Sequence, residues 1–211
     1  MMKKHELKIS KTARYFQLGE KSDKTKEIWF VLHGYGQLAS SFLKRFTSLN
    51  DREILVVAPE GLHRFYWEGF SGKVVASWMT KEERQSDISD YIGYLDAVYT
   101  QVVPSTDARI RLLGFSQGTA TACRWALLGQ AKFDDLILWS GAFPDDVDYI
   151  NNTALFNSLN IKLLVGDKDQ FFSMQQVEEH KEAIVSQGVE VELITFDGEH
   201  EIYDEPLMSI I

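Results

Sequence analysis

Residues 109–130, RIRLLGFSQGTATACRWALLGQ, decide how this chain is read. Their first part, 110–115, is an apolar run with the length and composition of a buried parallel strand. Their last part carries the small and apolar residues of a buried helix. Between the two stands Gly114-Phe115-Ser116-Gln117-Gly118. A serine at so tight a strand-to-helix turn is held in a strained backbone conformation, and the residues two before and two after it approach too closely to tolerate a Cβ. Both are glycine here. The turn lifts the Ser116 hydroxyl above the sheet edge and sets it at a helix N-terminus, where unpaired N–H groups favour developing negative charge. Small residues also gather at ordinary turns. The strand before and the helix after are what a nucleophile elbow requires.

Working outward, 28–32 and 54–58 are unbroken apolar runs typical of central strands, and 135–139, 161–165 and the alternating 189–196 read as further strands. Ile88, Tyr91, Ile92, Leu95, Val98, Tyr99 and Val102 recur at helical steps, predicting an amphipathic helix that Pro104 stops. Segments 39–49, 174–186 and 202–211 are predicted as further helices. Residues 6–9 and 13–18, flanking Ser10-Lys11-Thr12, predict an antiparallel hairpin at a sheet edge. Segment 60–83 sustains no period but holds Phe65, Tyr66, Trp67, Phe70 and Trp78, which suits a fixed wall beside a site. Strands alternating with helices predict one α/β domain over 1–211, with a mostly parallel sheet and helices on both faces. Segment 140–160 must supply a crossover helix, so no chain is left there for a cap domain.

The 211 residues are 45% hydrophobic and 25% charged, ordinary values for a chain that buries a core. A net charge of −9 argues against nucleic acid or an anionic membrane surface as partner, since both reward clustered Lys and Arg. The one cysteine, Cys123, excludes an intrachain disulfide and reads as a small core residue. No apolar stretch has the length of a signal or membrane-spanning segment, so a cytoplasmic setting without membrane insertion is expected. His5, His63 and His180 are scattered, with no cysteine or paired carboxylate at ligand spacing, so no metal and no other cofactor is expected.

Open parallel sheets bind ligands beyond the C-terminal ends of their strands. Three polar clusters fall there: Ser116, then Gly166-Asp167-Lys168-Asp169-Gln170, then Asp197-Gly198-Glu199-His200. The order Ser, Asp, His is one of the known chain orders of a nucleophile, acid and base triad. Ser116 is a poor nucleophile until a base takes its proton, and an imidazole can do this near neutral pH, which makes His200 the candidate base. A carboxylate must then hold the imidazole's tautomer and stabilise its charge. Asp169, at the far side of its turn, is the candidate, with Asp167, Asp197 and Glu199 as alternatives. Oxyanion stabilisation falls to backbone N–H groups, for which Gln117 after the nucleophile and Tyr35 in the glycine-flanked segment 33–37 are the candidates. His33, beside that loop, reads as structural.

Four motifs together, LHGYGQ at 32–37, GFSQGTA at 114–120, GDKDQFF at 166–172 and GEH at 198–200, resemble the phospholipase/carboxylesterase family of α/β hydrolases. That family includes acyl-protein thioesterase-like enzymes. The resemblance runs from about residue 27 to the end of the chain and takes in Ala76-Ser77-Trp78-Met79. It implies an α/β-hydrolase fold, Ser116, Asp169 and His200 as the triad, and Tyr35 and Gln117 as oxyanion donors. The pattern departs where Gln37 replaces a common acidic residue, where Thr119 replaces a second glycine, and where Gln170-Phe171-Phe172-Ser173 replaces a segment rich in valine and proline. Phe171 and Phe172, with Trp78, are candidates to wall the substrate pocket. The expected reaction is hydrolysis of small to medium carboxylic esters or thioesters through an acyl-serine, with a small molecule as substrate. Two rivals remain: a lactone or dienelactone hydrolase, which often uses cysteine as nucleophile, and a binding protein on the same fold, which usually lacks a triad member.

Overall fold

A computed structural model of the chain describes residues 1–50, 52–103 and 107–211. The elements in order are β1 (Tyr15–Leu18), β2 (Glu27–Leu32), α1 (Ala39–Phe42) continued by a 3-10 helix (Leu43–Leu49), β3 (Ile54–Pro59), β4 (His63–Tyr66), β5 (Val74–Ser77), α2 (Arg84–Val102), β6 (Arg109–Phe115), α3 (Gln117–Leu128), β7 (Asp135–Trp139), α4 (Thr153–Phe156), β8 (Asn160–Gly166), α5 (Met174–Val185), β9 (Glu192–Phe196) and α6 (Asp204–Ser209). One sheet runs β1-β3-β2-β6-β7-β8-β9, with β1 antiparallel to β3 and every other pairing parallel.

The continuous apolar runs have a simple cause. Successive side chains of a strand point to opposite faces, and each face of this sheet carries its own core. Ile28, Phe30 and Leu32 of β2 join Tyr91 and Leu95 of α2 and Trp125 of α3 in one core, whereas Trp29 and Val31 join Phe42, Phe46 and Leu207 in the other. A strand covered on both sides cannot alternate apolar with polar. The predicted amphipathic helix is α2, with Ile88, Tyr91, Ile92, Leu95, Val98 and Val102 buried. Pro104, expected to stop it, lies outside the described residues.

Three expectations need correction. The N-terminal hairpin does not form: no strand precedes β1, which pairs instead with β3 in the register Tyr15↔Pro59 to Leu18↔Val56. Pairing with a buried strand lets β1 lean on an existing core, while Leu7 and Ile9 are exposed and a lone hairpin would be marginal. Segment 39–49 is a single α turn followed by the 3-10 helix; Phe42, Leu43, Phe46 and Leu49 are buried all the same, because a three- to four-residue spacing serves either helix. Segment 60–83 contains an antiparallel hairpin, β4 with β5, whose four-residue strands are too short to display a period in sequence. The crossover between β7 and β8 contains only the four-residue α4.

Candidate active site

Ser116 links the end of β6 to the start of α3 with φ +53° and ψ −117°, outside the regions that L-residues ordinarily occupy. The glycines make that turn possible. A Cβ on Gly114 would stand 2.3 Å from the Gly118 carbonyl oxygen, and one on Gly118 would stand 2.2 Å from that of Leu32. The turn is pinned by Ser116 N–H donating to the Trp139 carbonyl at 2.9 Å and by Thr119 Oγ1 donating to the Ser116 carbonyl at 2.7 Å. Thr119 Oγ1 also lies 3.1 Å from the Ala142 carbonyl, so the residue that departs from the family pattern ties the elbow to the loop after β7.

The loops after β8 and β9 meet in a close backbone approach: a Cβ on Gly166 would stand 2.1 Å from the Gly198 carbonyl oxygen. Asp167 N–H donates to the Phe196 carbonyl at 2.9 Å, and Asp167 Oδ1 accepts from Gly198 N–H at 3.2 Å. Asp167 is thus occupied with holding the two loops together. Asp169, by contrast, is buried and places Oδ2 2.7 Å from His200 Nδ1. Its other oxygen accepts from the N–H groups of Phe171 at 2.8 Å and Phe172 at 3.3 Å, which orients the carboxylate against the imidazole. Of the four acidic candidates, the hydrogen bond to His200 belongs to Asp169. The His200 ring packs 4.9 Å from that of Phe115, the residue before Ser116, so the candidate base and the elbow share one corner of the sheet.

Both candidate oxyanion donors are braced against the end of β5. The loop after β2 approaches the elbow so closely that a Cβ on Gly34 would lie 3.2 Å from that of Ser116. Gly34 N–H donates to Gln37 Oε1 at 2.8 Å, Gly36 N–H to the Ala76 carbonyl at 2.9 Å, and Ala76 N–H to the Gln37 carbonyl at 3.1 Å. Tyr35 sits between these anchors. Gln117 opens α3, where first-turn N–H groups lack intrahelical acceptors. Its side chain accepts from Trp78 N–H at 3.2 Å and donates to the Met79 carbonyl at 3.1 Å. The sequence pointed to the backbone of these residues and not to the glutamine side chains. The Gln117 side chain reaches 39 positions along the chain to Trp78 and 38 to Met79, which leaves no local signal.

The family model described as Phospholipase/Carboxylesterase matches residues 13–211. The chain belongs to the phospholipase/carboxylesterase family. That membership supports a hydrolase of the carboxylesterase or thioesterase type. The fold is similar to that of acyl-protein thioesterase 2 from Zea mays, with a TM-score of 0.71 and 15% identity over 94% of this chain and 96% of that one. Esterase PE8 superposes with a TM-score of 0.67 and 20% identity over 94% and 95% of the two chains. The carboxylesterase of Bacillus cereus does so with a TM-score of 0.66 and 16% identity over 94% and 91%. At such identities the likeness concerns the fold. No curated protein sequence matches the chain.

Two further residues of this phospholipase/carboxylesterase family member are structural. Trp78, expected as a pocket wall, is 0% exposed: it stacks on His33 at 5.0 Å and donates through Nε1 to the His33 carbonyl at 2.8 Å. A side chain with no free surface supports the loop of the candidate oxyanion donor Tyr35 from beneath and offers no wall to a pocket. His33 is buried too, with Nε2 accepting from Gly61 N–H at 2.9 Å, which leaves Nδ1 to carry the proton and donate to the Gly34 carbonyl at 2.8 Å. Burial pushes its pKa from 6.5 down to about 4. Below pH 6.5 the unfolded chain then binds a proton that the folded chain refuses, so this stabilisation is complete above pH 6.5 and gone below pH 4. It amounts to about 3 kcal/mol. In denaturant titrations the stability gap between the wild type and His33→Gln should therefore narrow as pH falls from 7 to 4; a constant gap would exclude a neutral His33.

Cys123 is buried, and burial pushes its thiol up to about 12, so it remains a neutral core group. Phe171 and Phe172 flank His200, the candidate base, with ring centroids 4.7 Å and 6.3 Å from that of the imidazole. Among the described residues no helix is long and apolar enough to cross a membrane.

Proposed function

We propose that this protein is a serine esterase that hydrolyses small to medium carboxylic esters or thioesters through an acyl-enzyme, on a single domain and without a metal or organic cofactor. The observation that carries this reading is the 2.7 Å contact between Asp169 and His200, set beside the strained elbow of Ser116. With Asp169 accepting from Nδ1–H, Nε2 is the basic nitrogen and takes the Ser116 proton as Oγ attacks the carbonyl carbon. The N–H groups of Tyr35 and Gln117 would receive the oxyanion, and because both loops are tied to β5 they need not reorganise as charge develops. Water then takes the place of the departed alcohol or thiol, and His200 activates it to release the acid. A cytoplasmic setting belongs to the same proposal, supported by a lone buried cysteine that leaves no intrachain disulfide to form.

The test is covalent labelling by a fluorophosphonate, located by mass spectrometry, followed by turnover of aryl esters and thioesters of graded chain length. Label on Ser116 together with turnover of one series supports the reading, and absence of label would end it. The same series checks a second expectation. Hairpin β4–β5 is bonded to the oxyanion loop through Ala76 and Gln37, and the loop between β7 and β8 holds only α4, so among the described residues no amphipathic lid is built over the site. Rates should follow the concentration of dissolved ester smoothly. A sharp rise once the ester aggregates would mean that the hairpin opens.

A further inference from the structure

Three aromatic rings surround the His200 imidazole, with centroids 4.9 Å (Phe115), 4.7 Å (Phe171) and 6.3 Å (Phe172) away. Phe115 is buried in one core and Phe172 packs, half-buried, against the other. Phe171 is different, being 64% exposed. Single exposed apolar residues need no explanation, but this one is tied to the triad. Its N–H donates to Asp169 Oδ1 at 2.8 Å while Oδ2 of the same carboxylate holds His200. Its ring stands edge-on to the imidazole, at an interplanar angle of 67°.

We propose that Phe171 is a platform for the leaving group and selects esters whose alcohol carries an aryl or other apolar substituent. This rests on the serine-esterase reading. In acylation the Ser116 oxygen bonds to the carbonyl carbon and its proton passes to His200 Nε2. The intermediate collapses by breaking the bond between carbonyl carbon and leaving oxygen, which takes that proton, so ester and serine become acyl-serine and alcohol. The transfer requires the leaving oxygen within about 3 Å of Nε2. Asp169 occupies the Nδ1 side of the imidazole and buried Phe115 closes another. A substituent on the leaving oxygen meets solvent and the open ring of Phe171. An apolar group gains contact there, whereas a charged one gives up hydration without a partner.

Methyl and benzyl esters of one short acid test this, because their alcohols have similar acidity and differ by a ring. The wild type should favour the benzyl ester in kcat/KM. Phe171→Ala should lower the benzyl-to-methyl ratio about 5- to 10-fold, Phe171→Gln should do the same with a long polar chain in place of the ring, and Phe171→Trp should retain the ratio. Methyl phenylacetate against methyl acetate places the ring on the acyl side, and that ratio should not follow Phe171. A benzyl-to-methyl ratio unmoved by both Ala and Gln, or a fall confined to the acyl pair, would overturn the platform. Fluorophosphonate labelling of Ser116 in the same variants separates the two levels: label with an unmoved ratio removes only the platform, and no label in the wild type removes the esterase reading itself.

Discussion

Ser116→Ala should abolish fluorophosphonate labelling and lower kcat by roughly 10⁵-fold or more, with thermal stability unchanged or slightly raised. Backbone contacts, not the Ser116 hydroxyl, hold the elbow. Ser116 sits at φ +53° and ψ −117°, held there by its N–H to Trp139 and by the Thr119 hydroxyl on its carbonyl, and neither contact uses Oγ. Alanine therefore keeps the elbow and loses only the nucleophile. Residual turnover would reflect water attacking in a site that still polarises the carbonyl, so the variant should still bind ester. Labelling that persists in the variant would move the nucleophile elsewhere. Cys123 is a poor substitute, since its thiol is buried and held neutral.

Asp169→Asn should cost about 10⁴-fold in kcat, whereas Asp167→Asn should cost less than about 3-fold. The two carboxylates are two residues apart, yet their surroundings differ. In Asp169→Asn the amide oxygen can still accept from the Phe171 and Phe172 N–H groups that Asp169 Oδ1 serves now. The amide NH₂ then faces His200 Nδ1 and donates to it, which forces the ring proton onto Nε2 and removes the basic nitrogen that Ser116 needs. In Asp167→Asn the oxygen that accepts from Gly198 N–H is retained, and the neighbouring Lys168 keeps its ion pair with exposed Asp197. Equal losses in the two variants, measured under substrate saturation, would show that the loop junction and not the Asp169 to His200 contact limits the reaction.

The chain's own order of residues determined the parallel sheet, the elbow and the three catalytic candidates, because each depends on a local regularity. Apolar runs such as 28–32 and 110–115 have the length of strands, helical spacing marks α2, and a serine flanked at two residues either side by glycine meets a steric demand that acts within five residues. On those grounds Asp169 is the candidate acid by its place at the far side of its turn, with Asp167, Asp197 and Glu199 as alternatives. Only the tertiary structure places Asp169 Oδ2 on His200 Nδ1, 31 positions away. It also decided against two sequence expectations: the edge strand pairs with β3 instead of with residues 6–9, and Trp78 is buried beneath the loop of the candidate donor Tyr35 instead of lining a pocket. An aromatic residue has the same composition whether it walls a pocket or fills a core, and a short strand has the same alternation whichever partner it takes. What separates these outcomes is the desolvation and hydrogen bonding supplied by distant segments, and that becomes definite only once the chain has closed around its sheet.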